Sequence, residues 1–189
     1  MNTHKHPLTM EYALLGLLRQ QPMHGYEIHQ RMETGEEDGL VWRVKQGMLY
    51  VMLARLESEG LLDSSVETQG ARPPRRLYSL TAKGATLLQA WLQTPVRTGR
   101  DFRLEFLTKL YFAQQAGTPG ALTLVRRQVA ASQAYLNGIT QNAYGPADPD
   151  SFGWLVSDFR VGQMEAVLTW LKRCEQLFTS RQSREEQVQ

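Results

Sequence analysis

The chain has 189 residues, of which 42% are hydrophobic and 21% are charged. This composition is typical of one globular domain or two small ones, and it excludes collagen-like and disordered classes. Lys and Arg total 21 against 19 Asp and Glu, so a formal net charge of +2 does not by itself indicate a nucleic-acid binder. We find neither an apolar run of about 18 residues nor a signal-peptide core, so we expect a cytoplasmic protein with no membrane partner. The single cysteine, Cys174, cannot form an intrachain disulfide.

Apolar residues at helical spacing predict three helices in the first third of the chain. They are expected over Thr9–Gln20, His24–Glu33 and Gln46–Gly60. In the third helix, the apolar residues share one arc of the helical wheel, and Gly60 fits a left-handed stop at its end. These residues are Leu49, Met52, Leu53 and Leu56. The opposite side of this helix is therefore expected to be exposed.

Two short strand-like runs follow, Leu61–Glu67 and Arg75–Leu80, and a Gly- and Pro-rich connection with a basic tip joins them. Three helices and a hairpin, in this order, are typical of a winged helix-turn-helix. Thr81 is predicted to cap a fourth helix, and a boundary is expected near Pro95. We therefore predict a mainly α protein with one small β-hairpin: a winged helix-turn-helix DNA-binding domain over residues 1–95 and an α-helical dimerisation domain over residues 96–189.

The second half is predicted to be entirely helical, with helices over Asp101–Gln115, around Leu122–Ile139 and over Asp150–Ser180. The last of these helices is apolar around too much of its circumference for one contact. About 90 residues offer few other helices to cover it, so we expect a second copy of the chain to bury the remaining apolar surface. The predicted dimerisation residues are Phe152, Leu155, Phe159, Val167, Trp170 and Leu171.

The exposed side of the third helix and the hairpin tip are the candidate DNA-binding surfaces. Small side chains there would let the helix lie deep in a major groove, and arginines at the tip can enter a minor groove or neutralise phosphate. The predicted DNA-binding residues are Lys45, Gln46, Gly47, Met48, Tyr50, Arg55, Arg72, Arg75 and Arg76. Gln46 and Arg55 can bond to base edges, but we expect backbone contacts and shape to outweigh direct readout. The alternatives are a solvated turn and an ordinary surface helix.

Enzymatic and metal-binding patterns are not found. The sequence has no Walker loop, no GxGxxG after a strand and no GxSxG elbow. His24 and His29 are five residues apart and diverge on a helix, so we predict no enzyme, no cofactor and no metal site. The tryptophans are expected to fill the core and the subunit interface; alternatively, some line a cavity for a planar aromatic effector between the two halves. The candidates for such a pocket are Trp42, Trp91 and Trp154.

Several ordered motifs together resemble the PadR family of bacterial transcriptional regulators over about Leu8 to Leu92. They are Leu14-Leu15-Gly16-Leu17-Leu18, Pro22-Met23-His24-Gly25-Tyr26-Glu27-Ile28, Gly47-Met48-Leu49-Tyr50, Arg55-Leu56-Glu57, Glu59-Gly60-Leu61, Arg72-Pro73, Arg75-Arg76 and Tyr78-Ser79-Leu80-Thr81 with Gly84. The second half also resembles the longer C-terminal domain of one branch of that family.

The resemblance implies a dimeric winged helix-turn-helix repressor whose DNA binding is often relieved by a small aromatic or amphipathic ligand. It places Gln46, Gly47, Met48 and Tyr50 at the start of the recognition helix, and Arg72, Arg75 and Arg76 in a basic wing. It also makes the segment of His24, Gly25 and Tyr26 structural, with Tyr26 expected to pack beneath the helices. The chain departs from the family at Lys45, where a small hydroxyl residue is usual, and at Val51, where proline is common.

These observations favour a sequence-specific regulator that binds double-stranded DNA as a homodimer on a palindromic operator, with repression as the expected effect. A small aromatic ligand is expected to relieve binding. Two alternatives use the same winged helix without DNA binding: a small-molecule sensor and a protein-interaction module.

Overall fold

The computed structural model describes residues 8–34, 42, 44–68, 74–143 and 151–187. The chain divides into two compact units, Met1–Trp91 and Leu92–Gln189. The roles assigned to the domains on either side of residue 95 stay predictions. No helix in the described ranges is long and apolar enough to cross a membrane.

The first unit is built from helices and a small sheet, in the order expected of a winged helix. Its elements are α1 (Thr9–Leu18), β1 (Met23–His24), α2 (Gly25–Thr34), α3 (Gln46–Ser58), β2 (Leu62–Glu67), β3 (Arg75–Leu80) and α4 (Ala82–Gln93), the last of which ends two residues beyond this unit. The predicted class, mainly α with a small β-hairpin, is confirmed. The sheet has one strand more than predicted, because β1 adds to the hairpin and α2 begins one residue later than expected.

The sheet order is β1-β3-β2, and both pairings are antiparallel. Tyr78 lies at the centre, since it pairs with Met23 on one side and with Ser64 on the other. Met23 and Tyr78 are both buried, so this row closes one side of the unit's core. The sheet thus joins the turn before α2 to the hairpin.

The end of α3 is fixed by a glycine in the left-handed region. Gly60 has a φ of 69°, and its N–H donates to the carbonyl of Glu57. The N–H of Leu61 donates to the carbonyl of Leu56, which completes a Schellman motif. The predicted stop at Gly60 is confirmed, and it turns the chain directly into β2.

The second unit is helical throughout its described residues. Its elements are α5 (Gly99–Asp101), a π-helical turn (Phe102–Phe106), α6 (Leu107–Gln115), α7 (Thr118–Ala143) and α8 (Phe152–Gln187). Along α7 the residues at alternating steps of three and four face the core, as predicted: Leu122, Val125 and Ser132 are buried, and Val129, Leu136 and Ile139 pack against the buried cluster. α8 begins and ends later than the predicted Asp150–Ser180.

Polar side chains of α6 and α7 bind the backbone that follows α4. The buried Lys109 ammonium donates to the carbonyl of Thr94 at 2.7 Å and pairs with Glu105 at 2.7 Å. Burial lowers the pKa of Lys109, and the neighbouring Glu105 carboxylate opposes that shift. The side-chain amide of Gln128 both accepts from the N–H of Val96 at 2.8 Å and donates to its carbonyl at 3.0 Å. These bonds fix residues 94–96 on the helices of the second unit.

Gly84 in α4 packs directly on the backbone that follows α3, so we expect Gly84→Ala to destabilise the protein strongly. A Cβ at this position would lie 2.2 Å from the carbonyl oxygen of Leu61. That atom belongs to the main chain and cannot rotate away, so the cost is about 2–3 kcal/mol, as for other overpacked sites. Urea unfolding checks it. Gly47→Ala is the matched control, since nothing lies within 4 Å of its added Cβ and it is expected to be neutral or slightly stabilising. Equal stability of both variants would contradict the prediction.

Candidate nucleic-acid interface

One side of α3 is buried and the other carries small, exposed side chains. Leu49, Leu53 and Leu56 are fully buried, as predicted. The exposed row on the opposite side consists of Gly47, Val51, Ala54 and Ser58. Of the predicted DNA-binding residues, Lys45, Gln46, Gly47, Met48 and Tyr50 are all exposed at the N-terminal end of this helix. Lys45 is the N-cap and gives the helix no side-chain cap, so the first turn leaves N–H groups open to an anion.

A cleft of about 660 Å³ lies between the start of α2, the middle of α3 and the hairpin. It is lined by His24, Gly25, Tyr26, Tyr50, Ala54, Pro74, Arg75, Arg76 and Tyr78. The Tyr50 ring lies against Gly25, where an added Cβ would come within 2.7 Å of the ring. Tyr26 is 57% exposed. The expectation that Tyr26 packs beneath the helices is therefore wrong, because the first turn of α2 aims its side chain away from the core.

His24 connects β1 to both strands of the hairpin. Its Nδ1 lies 3.1 Å from the carbonyl oxygen of Arg76, so Nδ1 carries the proton and donates. Its Nε2 lies 3.4 Å from the Glu67 carboxylate. The backbone N–H of His24 donates to the Glu27 carboxylate at 2.8 Å. Sequence reasoning did not find this role, since a histidine that bonds strands 43 and 52 residues away leaves no local pattern.

The two described wing arginines differ in their surroundings. Arg75 is exposed and makes no ion pair or side-chain hydrogen bond among the described residues. Arg76 is 56% exposed, and its guanidinium donates to the Glu57 carboxylate of α3 at 3.1 Å. Glu57 also accepts from the Ser64 hydroxyl of β2. The Glu57 carboxylate thus fastens both strands of the wing to α3, while Arg75 stays open to phosphate. Arg72 and the acidic residues Glu36–Asp38 lie outside the described residues.

The Arg55 side chain does not join the exposed row of α3. Its Nη2 donates to the buried Glu11 carboxylate of α1 at 2.5 Å, and its Nε lies 3.5 Å from Glu59. Glu11 also accepts from the N–H of Leu8, which precedes α1. A base edge could take Arg55 only by leaving a buried carboxylate unpaired, which is costly. Arg55 therefore holds α3 on α1 and is not placed to read bases as predicted.

Comparison with known proteins gives the family. Residues 14–90 match the transcriptional regulator PadR-like family, and residues 102–179 match the family called virulence activator alpha C-term. The chain is 31% identical over 172 residues to the negative transcriptional regulator PadR of Bacillus subtilis, covering 86% of this chain and 93% of that protein. The chain belongs to the PadR-like family of transcriptional regulators. The resemblance inferred from the motifs is confirmed, and so is the prediction of a regulator instead of an enzyme.

Two further comparisons are weaker. A probable transcriptional regulator of Mycobacterium tuberculosis is 25% identical over 101 residues, covering 53% of this chain and 52% of that protein. The crystal structure of B. subtilis PadR in complex with operator DNA covers 90% of this chain and 99% of that one, at 25% identity and a TM-score of 0.46. The family assignment rests on the sequence match to B. subtilis PadR, which covers 93% of that protein.

In this PadR-like chain, the exposed apolar residues of α8 form one stripe. Phe152, Leu155, Phe159, Trp170 and Leu177 are 36–80% exposed and fall within about 60° of one another at 100° per residue. Leu177 was missed as an interface candidate, although it has the same spacing. Val167 is half-buried, and Leu171 is fully buried in the unit's own core. Leu171 therefore cannot belong to the exposed stripe.

The three candidate pocket tryptophans line neither the cleft of about 660 Å³ in the first unit nor one of about 510 Å³ in the second unit. Trp42 is buried in the first unit, and Trp91 stacks on Tyr12 with ring centroids 4.4 Å apart. Trp154 is half-buried in the second unit. Their assignment to a ligand pocket stays a prediction. The described residues contain no group of three or more His, Cys, Asp or Glu side chains that could hold a metal ion.

Because Arg55 neutralises a buried carboxylate, we expect Arg55→Met to destabilise the first unit by about 2–4 kcal/mol. The double variant Arg55→Met/Glu11→Gln should recover much of this loss, since the buried negative charge is then absent. Thermal and urea unfolding of the parent, both single variants and the double variant measure the coupling. If Arg55→Met unfolds like the parent and its effect is confined to DNA affinity, the structural role is refuted.

Proposed function

We propose that this PadR-like regulator binds double-stranded DNA through α3 and the β2–β3 wing, in the cytoplasm. The observation that carries the proposal is the ion pair of Arg76 with Glu57, which bonds the basic wing to α3, whose exposed row carries small side chains. A helix with small side chains on its exposed side fits into a major groove. A wing beside that helix reaches the neighbouring backbone or minor groove. The B. subtilis relative is a negative regulator, and its match supports repression here.

The side chains divide into two groups by chemistry. Lys45, Arg75 and Arg76 suit phosphate, together with Arg72, which lies outside the described residues. We assign Gln46, Met48 and Tyr50, which are exposed at the N-terminal end of α3, to contacts with base edges and sugars. Contacts of the first group set affinity and salt dependence, whereas contacts of the second group set sequence preference.

We expect Arg75→Ala to weaken binding to every duplex and to reduce the slope of log affinity against log salt concentration by about 1, the loss of one phosphate contact. Arg76→Ala should act similarly and should also release β3 from Glu57, which still accepts from Ser64 of β2. Gln46→Ala should instead change which sequence is preferred. Selection of duplexes from a random pool, followed by affinity titrations at several salt concentrations, measures all three.

The matched control for the wing variants is Arg126→Ala, which removes a surface arginine that pairs with Glu175 in the second unit. It should leave both affinity and salt slope unchanged. Parental affinity and slope in both wing variants would refute the wing assignment. A folded protein that enriches no duplex would instead favour the alternatives, a protein-interaction module or a small-molecule sensor.

The proposal includes a homodimer on an inverted repeat, each α3 in a major groove about one helical turn from the other. Its support is the exposed stripe of α8, where Phe152 and Phe159 are 80% and 66% exposed. Two such stripes, related by a two-fold axis, would cover each other.

The proposal also includes release from DNA on binding of a small ligand. A cleft of about 510 Å³ in the second unit, beside Tyr135, Phe159 and Arg160, has room for such a ligand.

We expect Phe159→Glu to shift the protein from dimer to monomer, because it would place a charge inside an apolar contact. Affinity for a full inverted repeat should then fall towards that for a half-site. Sedimentation equilibrium and operator titration give the two readouts. Gln176→Glu is the matched control, since it adds the same charge on an exposed part of α8 away from the stripe. A dimer of unchanged strength in Phe159→Glu would exclude the stripe as the interface.

A further inference from the structure

The middle of the exposed row on α3 has almost no capacity for hydrogen bonding. Gly47 and Ala54 offer no polar side-chain atom, and the Ser58 hydroxyl donates to the carbonyl of Arg55 at 2.7 Å. Arg55, the long polar side chain closest to the row, is held by the buried Glu11. In the first turn, Gln46 is the residue able to bond to a base edge. The central part of the row therefore offers an apolar surface and no side-chain hydrogen bond to a base edge.

Val51 is the one branched apolar side chain in this row. It is 64% exposed and lies one turn after Gly47 and one turn before Ala54. Nothing lies within 4 Å of the position where a Cβ of Gly47 would be, so the helix surface beside Val51 is open. The Tyr50 ring does not cover it, since that ring lies back against Gly25. The isopropyl group of Val51 thus projects above small neighbours, at the point where a helix approaches the groove floor.

The major groove presents one apolar group, the C5-methyl of thymine. An exposed isopropyl group that displaces water there gains most free energy against that methyl, because the nitrogen and oxygen atoms of the base edges would lose hydrogen bonds to water. We propose that Val51 is a specificity-determining residue that reads the methyl group of one thymine in each half-site. This assignment rests on the proposed DNA binding through α3.

The test uses the operator recovered by selection, with each thymine replaced singly by deoxyuridine, which removes only the methyl group. At one thymine position per half-site, the parent protein should lose about fourfold in affinity, the value of one buried methyl group. Val51→Ala should bind the unmodified operator more weakly and should be indifferent to deoxyuridine at that same position. Replacing that T·A pair by 5-methylcytosine·guanine should be tolerated better than replacing it by cytosine·guanine.

The matched control is Leu104→Ala, which shortens an exposed apolar side chain of the second unit, outside α3, the wing and the α8 stripe. It should keep the full sensitivity to the methyl group that the parent shows. The assignment is overturned if no deoxyuridine operator is distinguished from the parent operator. It is equally overturned if Val51→Ala keeps the whole fourfold difference, since another group or the DNA shape then senses the methyl. A protein that binds no duplex at all fails earlier, at the selection step, and refutes the proposed function and this assignment together.

Discussion

The ion pair of Arg55 with Glu11 is the interaction on which the position of α3 in the first unit depends. A carboxylate that is 2% exposed needs a counter-charge, and Arg55 of α3 supplies it. The same carboxylate accepts the N–H of Leu8, so the start of α1 and the last turn of α3 are bonded to one group. The pair also directs the long side chain of Arg55, in the last turn of α3, towards α1. The exposed side of α3 therefore carries only short side chains in this region, because the Arg55 side chain points towards Glu11.

The wing is positioned by a second carboxylate of the same helix. Glu57 accepts from Ser64 of β2 and from Arg76 of β3, so both strands of the hairpin are bonded to α3. His24 adds a third point, since its ring donates to the backbone of Arg76. A hairpin attached at three points keeps a fixed distance from α3. That distance is what a phosphate contact by Arg75 requires, because a guanidinium on a loosely held hairpin would lose entropy on binding.

Local patterns in the sequence were sufficient for most of the fold. The buried arc of α3, the stop at Gly60 and the core-facing residues of α7 follow from helical periodicity or from one glycine, and all are found. β1 was missed because two residues are too short for a periodicity of two, and the strand exists only through its pairing with β3. The partner of Arg55 lies 44 residues away and was equally out of reach. Tyr26 was misplaced because a family motif shows which residues recur, while exposure depends on which side of α2 the core occupies.

The second unit buries polar side chains at positions where apolar ones would pack without a desolvation cost. Burial lowers the pKa of Lys109, so keeping its ammonium charged next to Glu105 costs free energy that a methionine would not. The ammonium donates a directed hydrogen bond to the carbonyl of Thr94. The Gln128 side-chain amide bonds to both the N–H and the carbonyl of Val96. An apolar contact tolerates sliding of the backbone, whereas these bonds are satisfied in one register. The segment that follows α4 is therefore held by geometry that cannot shift without unpairing buried polar groups.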